Sequence, residues 1–219
     1  MRYYRVCLAM TQPIPTRIFR ITHLDNLPVT LQHGLFCRNH PAPPITDYRN
    51  IGDADLTSRR GNRVVPVPPG GVLNDYVPFY LGPRSPMLFR ISKHSPQADI
   101  VYLVSRVQHL QQLGIPFVFT AGHAYDILTT DADYYTNPAD LASLAWDDIY
   151  AKPMWTPTIQ NPHRQRHKQA ELLVPAFVPV NALVGIAVFN EHIRTQVEQM
   201  VRHAGLALPV AIVKDWYYE

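Results

Sequence analysis

Short apolar runs, interrupted by polar residues and prolines, make up most of the chain. Residues 17–23 alternate apolar and polar side chains, which predicts a strand with one buried face. Similar alternation, or a short continuous apolar run, predicts further strands at 74–80, 85–91, 100–104, 116–120, 172–174, 184–189 and 210–216. Many short strands mixed with a few helices indicate the α+β class.

Helix signals are fewer and mostly short. Helices are predicted at 26–32, 53–60, 105–113 and 191–203, and in the segment 137–146. The first of them is followed by Gly34, a common residue just beyond a helix C-terminus. The 21 prolines leave little room for long helices and favour well-defined loops.

Length and composition bound the domain organisation. With 219 residues, 47% hydrophobic and 17% charged, the chain is globular and long enough for one substantial core. It contains no internal repeat and no low-complexity linker. We therefore expect a single domain over residues 17–219, preceded by an N-terminal extension over residues 1–16.

Cysteine content and hydropathy point to a compartment. The two cysteines, Cys7 and Cys37, form neither a disulfide framework nor a metal-binding pattern, which fits a reducing cytoplasm. No stretch approaches the ~20 apolar residues needed to cross a bilayer. The sequence therefore predicts a cytoplasmic protein with no membrane segment and no bound metal. Its net charge of +3 permits nucleic-acid binding but does not by itself indicate it.

Three polar side chains lie at the ends of apolar strands. His23 ends the first strand, His123 follows the strand at 116–120, and Glu171 directly precedes the apolar run at 172–174. Neighbouring strands could bring them to one rim of the sheet, so we expect them to converge. Each also has a structural interpretation: His23 could satisfy a turn, and a buried carboxylate such as Glu171 is costly unless another group pairs with it or uses it.

Basic residues cluster in two places. Arg164, Arg166 and Lys168 lie just before Glu171. Arg164 or Arg166 could pair with that carboxylate, or the whole cluster could remain solvated or bind a phosphate-rich partner. The second cluster holds three arginines between residues 59 and 63, close to a Gly- and Pro-rich stretch. Solvated surface charge is one interpretation of it. Loops of this kind also present guanidinium groups to phosphates or base edges.

Seven stretches of the chain carry a further signal when they are taken in order. They read RITHLDNL (20–27), NIG (50–52), DYVPFY (75–80), SPML (85–88), FTAGHA (119–124), QAE (169–171) and WYY (216–218). Together they resemble the DarT family of DNA ADP-ribosyltransferases. No single stretch is specific, but seven in order over residues 17–218 are. One departure is Ala121, which stands where the family usually has the acidic residue of Thr-Asp-x-His-Ala.

The resemblance implies a fold and an activity. The fold would be that of ADP-ribosyltransferases, a split, strongly twisted β core with flanking helices around a central NAD+ cleft. The chain would be a toxin that transfers ADP-ribose from NAD+ to a thymine ring nitrogen in single-stranded DNA, within a short sequence motif, and releases nicotinamide. A macrodomain antitoxin similar to DarG would be its partner. Two alternatives stay open: an enzyme acting on another base, on RNA or on protein, and a NAD- or DNA-binding module with weakened chemistry.

The resemblance also implies roles for individual residues. Glu171 and Arg60 match the catalytic glutamate and arginine, and His123 matches a histidine near the acceptor base. The residues implied in NAD+ binding are Thr22, His23, Leu24, Asn26, Gly34, Leu35 and Arg60. Those expected to contact DNA are Tyr76, Tyr80, Trp155, Arg164, Arg166 and Lys168, with His163 or His167 as further candidates for stacking on bases.

The chemistry of these side chains suits such a reaction. A carboxylate can stabilise the positive charge that develops on a ribose as its leaving group departs. Arginine is a poor base because its pKa exceeds ~12. We therefore expect Arg60 to stabilise the forming thymine anion and the phosphates of NAD+, with His123 or Glu171 as alternative proton acceptors.

Overall fold

The computed structural model describes residues 10–41, 48–152 and 155–218, so that residues 1–9 of the predicted N-terminal extension lie outside the described residues. The strands within these ranges are β1 (Arg17–His23), β2 (Leu35–Phe36), β3 (Tyr76–Tyr80), β4 (Ile100–Arg106), β5 (Val118–Thr120), β6 (Tyr134–Tyr135), β7 (Glu171–Pro175), β8 (Phe177–Val178), β9 (Gly185–Val188) and β10 (Val210–Ile212). The α-helices are α1 (Leu27–His33), α2 (Ala54–Arg60), α3 (Pro86–Ser92), α4 (Val107–Gln112), α5 (Trp146–Ile149), α6 (Arg164–His167) and α7 (Glu191–His203).

One mixed sheet organises the domain, with strand order β10-β9-β4-β1-β3-β7-β5-β6. Strand β1 pairs with β4 along its whole length, but it meets β3 at a single position, where Phe19 lies opposite Tyr80. Beyond that position the two strands separate, and residues of both line the same cavity. The sheet is therefore split between β1 and β3, and the α+β prediction is confirmed.

Apolar side chains cover both faces of the sheet. In β4, Val101 and Leu103 belong to the hydrophobic cluster on one face, whereas Tyr102 and Val104 belong to the cluster on the other. A strand buried on both faces needs a continuous apolar run, and this is the pattern that the sequence has at 100–104. No helix among the described residues is both long and apolar enough to cross a bilayer.

The segment 85–91 was predicted as a strand, and that prediction is wrong. It forms helix α3, in which Ser85 is the N-cap and accepts a hydrogen bond from the backbone N–H of Leu88. Pro86 occupies the first turn, where its missing N–H removes no hydrogen bond from the helix. The Ser-Pro pair in front of the apolar run was the signal for a helix.

Other boundaries also differ from the predictions. The helix predicted within 137–146 is a 3-10 helix, Pro138–Ser143, followed by the single turn of α5. The last predicted strand ends at Ile212, and a 3-10 turn, Lys214–Trp216, follows it. The strands β2, β6 and β8 were not predicted because two residues are too few to show a periodicity.

Candidate active site

Glu171 is the most buried carboxylate of the cleft, with 3% of its surface exposed. It begins β7 and lies opposite Tyr80 of β3. Its Oε1 accepts a hydrogen bond of 3.2 Å from the backbone N–H of Ala124, and its own N–H donates to Oγ1 of Thr120. Burial raises the pKa of Glu171. The positive charge of Arg60 and the nearby His123 together lower it by more, so the net pKa lies below its ordinary value. The carboxylate is therefore ionised at neutral pH.

Arg60, the last residue of α2, supplies the countercharge. Its guanidinium donates from Nη1 to Oε1 of Glu171 at 3.2 Å and from Nη2 to Oε2 at 3.0 Å. The two side chains are only 11% and 4% exposed. Burial lowers the pKa of Arg60, yet the facing carboxylate raises it by more, so the guanidinium keeps its proton. Two residues far apart in the sequence thus form a buried, bidentate ion pair.

His123 follows β5 and completes the cluster. Its Nε2 lies 3.7 Å from Oε1 of Glu171, and its backbone N–H donates to the carbonyl of Arg166. Burial lowers the pKa of His123, and so does the positive charge of Arg60, whereas the Glu171 carboxylate raises it. The net pKa is lowered, so the imidazole is neutral at pH 7. Of the three side chains predicted to converge at one rim, His123 and Glu171 lie together.

His23 lies farther along the cleft. Its Nδ1 accepts a hydrogen bond from the backbone N–H of Asp25 and so caps the turn that follows β1. It lines a cavity of about 530 Å³, whereas Arg60 and Glu171 line an adjoining cavity of about 470 Å³. Tyr80 and His123 line both, so the two cavities form one cleft. His23 thus satisfies a turn and also faces the cleft.

Thr22 and Asn26 shape the cleft wall through another segment. Both are buried, and the Asn26 amide donates to Oγ1 of Thr22 and to the carbonyl of Arg49, while it accepts from the backbone N–H of Arg49. The Thr22 hydroxyl is 2.7 Å from the Tyr48 hydroxyl. These bonds fix the segment that leads into Asn50, which lines both cavities.

Gly34 and Leu35 line the cavity that contains Glu171. Gly34 has φ +82°, and a Cβ built on it would lie 2.5 Å from the carbonyl oxygen of Val178. Only glycine therefore fits at this turn. Leu24, which was also implied in NAD+ binding, is partly buried and packs against the core instead of lining either cavity.

The basic segment before Glu171 is folded against the protein. The Arg166 guanidinium contacts Oδ1 of Asp133 at 3.3 Å and Oγ1 of Thr129 at 3.2 Å. Arg164 lies 3.7 Å from Asp148. Neither guanidinium reaches Glu171 as an ion-pair partner, which was one of the alternatives that the sequence left open.

Lys168 is buried, whereas a contact with DNA requires an exposed side chain. Only 1% of its surface is exposed, and its Nζ donates to the carbonyls of Ile149 at 2.7 Å and Ala151 at 3.3 Å. Burial, and to a smaller extent Arg84 and other cations, lower the pKa of Lys168 to about 7. The expectation that its ammonium meets a DNA phosphate is corrected: this side chain anchors the segment to the end of α5.

The three aromatic residues expected at DNA are also engaged in the fold. Tyr76 is 2% exposed and donates its hydroxyl proton to the Gly70 carbonyl, although it lines the cavity with Glu171. Trp155 packs against Phe89 and donates from Nε1 to the Tyr218 hydroxyl at 2.9 Å. Tyr80 is the one of the three that lines both cavities.

Sequence reasoning missed Asp148. This buried residue of α5 accepts hydrogen bonds from Asn161 and His167 in the segment before Glu171. The one local signal was an acidic pair, Asp147 and Asp148, next to apolar residues, with one acid on the buried face.

Among the described residues, no group of three or more His, Cys, Asp or Glu side chains is arranged to hold a metal ion.

Known proteins share this fold and sequence over nearly the whole chain. A relative from Thermus sp. (strain 2.9), named DNA ADP-ribosyl transferase, is 38% identical over 215 residues, which is 95% of this chain and 99% of the relative. The solved structure of Thermus sp. 2.9 DarT in complex with ADP-ribosylated ssDNA superposes with a TM-score of 0.86 at 37% identity, over 96% of this chain and 100% of that one.

A second solved structure, Thermus sp. 2.9 DarT in complex with NAD+, gives a TM-score of 0.82 at 35% identity, over 95% of this chain and 100% of that one. The match to these structures confirms the predicted ADP-ribosyltransferase fold. The sequence model of the family described as "DarT: ssDNA thymidine ADP-ribosyltransferase" matches residues 19–218. The chain therefore belongs to the DarT family of ssDNA thymidine ADP-ribosyltransferases.

Proposed function

We propose that the cleft around Glu171 is where this chain transfers ADP-ribose from NAD+ to a thymine ring nitrogen of single-stranded DNA. The observation that supports this location is the buried ion pair of Arg60 and Glu171, with His123 beside the same carboxylate. Buried charged groups with shifted pKa values, gathered in a cleft, are typical of catalytic sites.

The cleft fits NAD+ in size and in polar character. Its two adjoining cavities, of about 470 and 530 Å³, are each of the size of small-molecule sites. Arg49 and Arg90 line the second cavity, where Asp25 and Asp53 are their ion-pair partners, and a pyrophosphate would compete with these acids for the two guanidiniums. A relative has been solved in complex with NAD+. When bound, NAD+ supplies the ADP-ribosyl group for the reaction.

Glu171 would stabilise the positive charge that develops on the ribose as nicotinamide leaves. Its pKa is lowered, so the carboxylate is negative before the reaction begins. The hydrogen bonds from Ala124 and Arg60 hold it in place, and no reorganisation is needed when the charge appears. A preorganised contact of this kind is worth ~3–4 kcal/mol.

Arg60 would stabilise the negative charge on the thymine that attacks the ribose. Since the facing carboxylate raises its pKa, the guanidinium does not accept the thymine proton. It instead offers guanidinium donors that are fixed beside the Glu171 carboxylate. These donors would also orient Glu171 towards the ribose.

His123 would accept the thymine proton. Its lowered pKa leaves the imidazole neutral at pH 7, the form in which a ring nitrogen can act as a base. Its Nε2 lies next to the Glu171 carboxylate, which would stabilise the imidazolium once it forms. Ala121 stands where the family usually has an acid, and the carboxylates that raise the pKa of this histidine are those of Glu171 and, to a smaller extent, Asp126.

Single-stranded DNA would approach over the loop that precedes Glu171. Residues 156–160 are all exposed, and Ile159 at the tip is 97% exposed. His163 is also exposed and could stack on a base, which contributes ~1–3 kcal/mol. A relative has been solved with ADP-ribosylated ssDNA. We propose this exposed tip as the contact with DNA, while contacts by Arg164 and Arg166 stay predictions.

The partner implied by the sequence resemblance is a macrodomain antitoxin. We propose that this chain acts as a toxin because modified thymine blocks replication of the template, and that a DarG-like macrodomain reverses the modification. Expression of the chain in bacteria should arrest growth, and co-expression of an ADP-ribosyl-DNA hydrolase should restore it.

Mass spectrometry of a thymine-containing oligonucleotide after incubation with NAD+ tests the proposed reaction. The oligonucleotide should gain one ADP-ribosyl group, and nicotinamide should appear in equal amount. Glu171→Gln should lower both signals by about 10²–10³-fold, whereas Glu198→Gln, on α7 and outside the lining of both cavities, should leave them unchanged. Modification of thymine-free DNA, of RNA or of protein at the same rate would contradict the proposed acceptor.

A further inference from the structure

A buried carboxylate outside the catalytic cluster organises the loop that precedes Glu171. We define the recognition loop as the described residues 155–168. Asp148 of α5 is 7% exposed, yet it belongs to an element that contributes nothing to either cavity of the cleft. A buried carboxylate is costly unless it is fully paired, so its partners indicate what it does.

Within the described parts of the chain, the side chains that form hydrogen bonds or ion pairs with Asp148 come from the recognition loop. The Asn161 amide donates to Oδ1 at 2.7 Å and to Oδ2 at 2.9 Å. Nδ1 of His167 lies 2.7 Å from Oδ2, and Nε of Arg164 lies 3.7 Å from Oδ1. One carboxylate thus contacts three side chains of the loop, which come from residues 161, 164 and 167.

These contacts determine how the exposed tip is presented. The backbone N–H of Asn161 donates to the carbonyl and the hydroxyl of Thr158, and this turn encloses Ile159. The N–H of Arg164 in turn donates to the Asn161 carbonyl. The hydrogen bonds from the Asn161 side chain to Asp148 therefore connect the tip of the loop to the body of the protein.

We propose that Asp148 is a positioning residue that holds the recognition loop in the conformation in which its tip binds single-stranded DNA. This proposal rests on the function proposed above, because it assumes that DNA crosses the loop. Asp148 acts through Asn161 and His167 and touches neither NAD+ nor the reacting base. It should therefore govern the KM for DNA and leave the KM for NAD+ unchanged.

Steady-state kinetics of Asp148→Asn with a thymine-containing oligonucleotide and NAD+ test this role. The KM for DNA should rise about tenfold or more, as expected from loss of one charged hydrogen bond. The kcat and the KM for NAD+ should stay within about twofold, since Glu171 and Arg60 are untouched. Asp147→Asn, at the exposed neighbouring position of the same helix, is the matched control and should behave as the wild type.

Asn161→Ala removes the contact from the loop side and serves if Asp148→Asn folds poorly. It should raise the KM for DNA by a similar factor, and combining it with Asp148→Asn should add little, because both substitutions break one contact. The proposal is overturned if folded Asp148→Asn and Asn161→Ala both keep the wild-type KM for DNA, or if the KM for NAD+ rises equally. Absence of any transfer by the wild type would instead refute the proposed function.

Discussion

Arg60 at the end of α2 and Glu171 at the start of β7 are joined by two hydrogen bonds of 3.2 and 3.0 Å inside the cleft. Each side chain lowers the cost of burying the other, because an isolated buried charge is unfavourable by several kcal/mol. The pair also fixes both groups in orientation before substrates arrive. Stability and catalysis therefore depend on the same two residues, and their substitution should affect both.

Glu171→Gln should reduce the single-turnover rate of transfer by about 10²–10³-fold, because the charge that stabilises the ribose is lost. It should also lower the free energy of unfolding by about 3 kcal/mol, since it leaves the Arg60 guanidinium buried without a countercharge. Rapid-quench kinetics and urea denaturation measure the two effects. A variant that keeps more than about a tenth of the wild-type rate would contradict the role of the carboxylate.

Arg60→Lys should lower the rate of transfer by about 10²-fold, while the free energy of unfolding changes less than in Glu171→Gln. Lysine keeps the positive charge opposite Glu171, but its ammonium cannot form both guanidinium contacts. Arg59→Lys, at the preceding exposed position of α2, is the control and should retain wild-type activity. If Arg60→Lys transferred ADP-ribose at a near-normal rate, the guanidinium would have no special part in the reaction.

His123 should produce an acid limb in the pH profile of kcat/KM. Because burial lowers its pKa, the midpoint should lie below 6.5, the ordinary value for histidine. His123→Gln should be slower and lack this limb, whereas His33→Gln, at an exposed position, should retain it. The same shift destabilises the folded protein below pH 6.5, because the unfolded chain then binds the proton more readily. A limb that persists in His123→Gln would assign the proton to another group.

The sequence could predict the meeting of His123 and Glu171, because each lies at the end of an apolar strand and β5 and β7 are neighbours. It could not place Arg60 by pattern, since that residue is 111 positions from Glu171 and their contact depends on how α2 packs over the split sheet. The family resemblance, rather than any periodicity, singled out this arginine.

The basic segment shows the opposite case, in which local charge misleads. Runs of Lys and Arg usually form solvated surface, and nothing near Lys168 in the sequence shows that its acceptors are backbone carbonyls of α5. The acids that contact Arg164 and Arg166 are likewise remote, at Asp148 and Asp133. Contacts with residues remote in the sequence therefore determine where these three side chains lie.

Neutralising Arg164 and Arg166 should change the salt dependence of DNA binding by little. Two free phosphate contacts would contribute about 1.4 to the slope of log K against log salt on single-stranded DNA. Both guanidiniums already contact acids of the protein, so we expect a smaller change for the Arg164→Gln/Arg166→Gln variant. Fluorescence anisotropy over a salt series measures it. If the slope fell by the full value of about 1.4, both arginines would have to leave their acids to bind DNA phosphates.

Lys168 should make the stability of the protein rise with pH. Burial lowers its pKa from 10.5 to about 7, so between these values the unfolded chain keeps a proton that the folded protein has released. The free energy of unfolding should therefore increase by about 3 kcal/mol between about pH 7 and about pH 9.5 from this group alone. Below about pH 7 both states are protonated and the full cost of burying the ammonium is present.

Urea denaturation of Lys168→Met at the same two pH values isolates this contribution. The variant should lack the increment because methionine does not titrate, while tyrosines and other groups affect both proteins alike. Lys152→Met removes an exposed lysine that contacts Asp215, and it should keep the wild-type slope. Parallel pH profiles for wild type and Lys168→Met would mean that the ammonium is solvated in the folded protein. The recognition loop would then not be anchored to α5 through the carbonyls of Ile149 and Ala151.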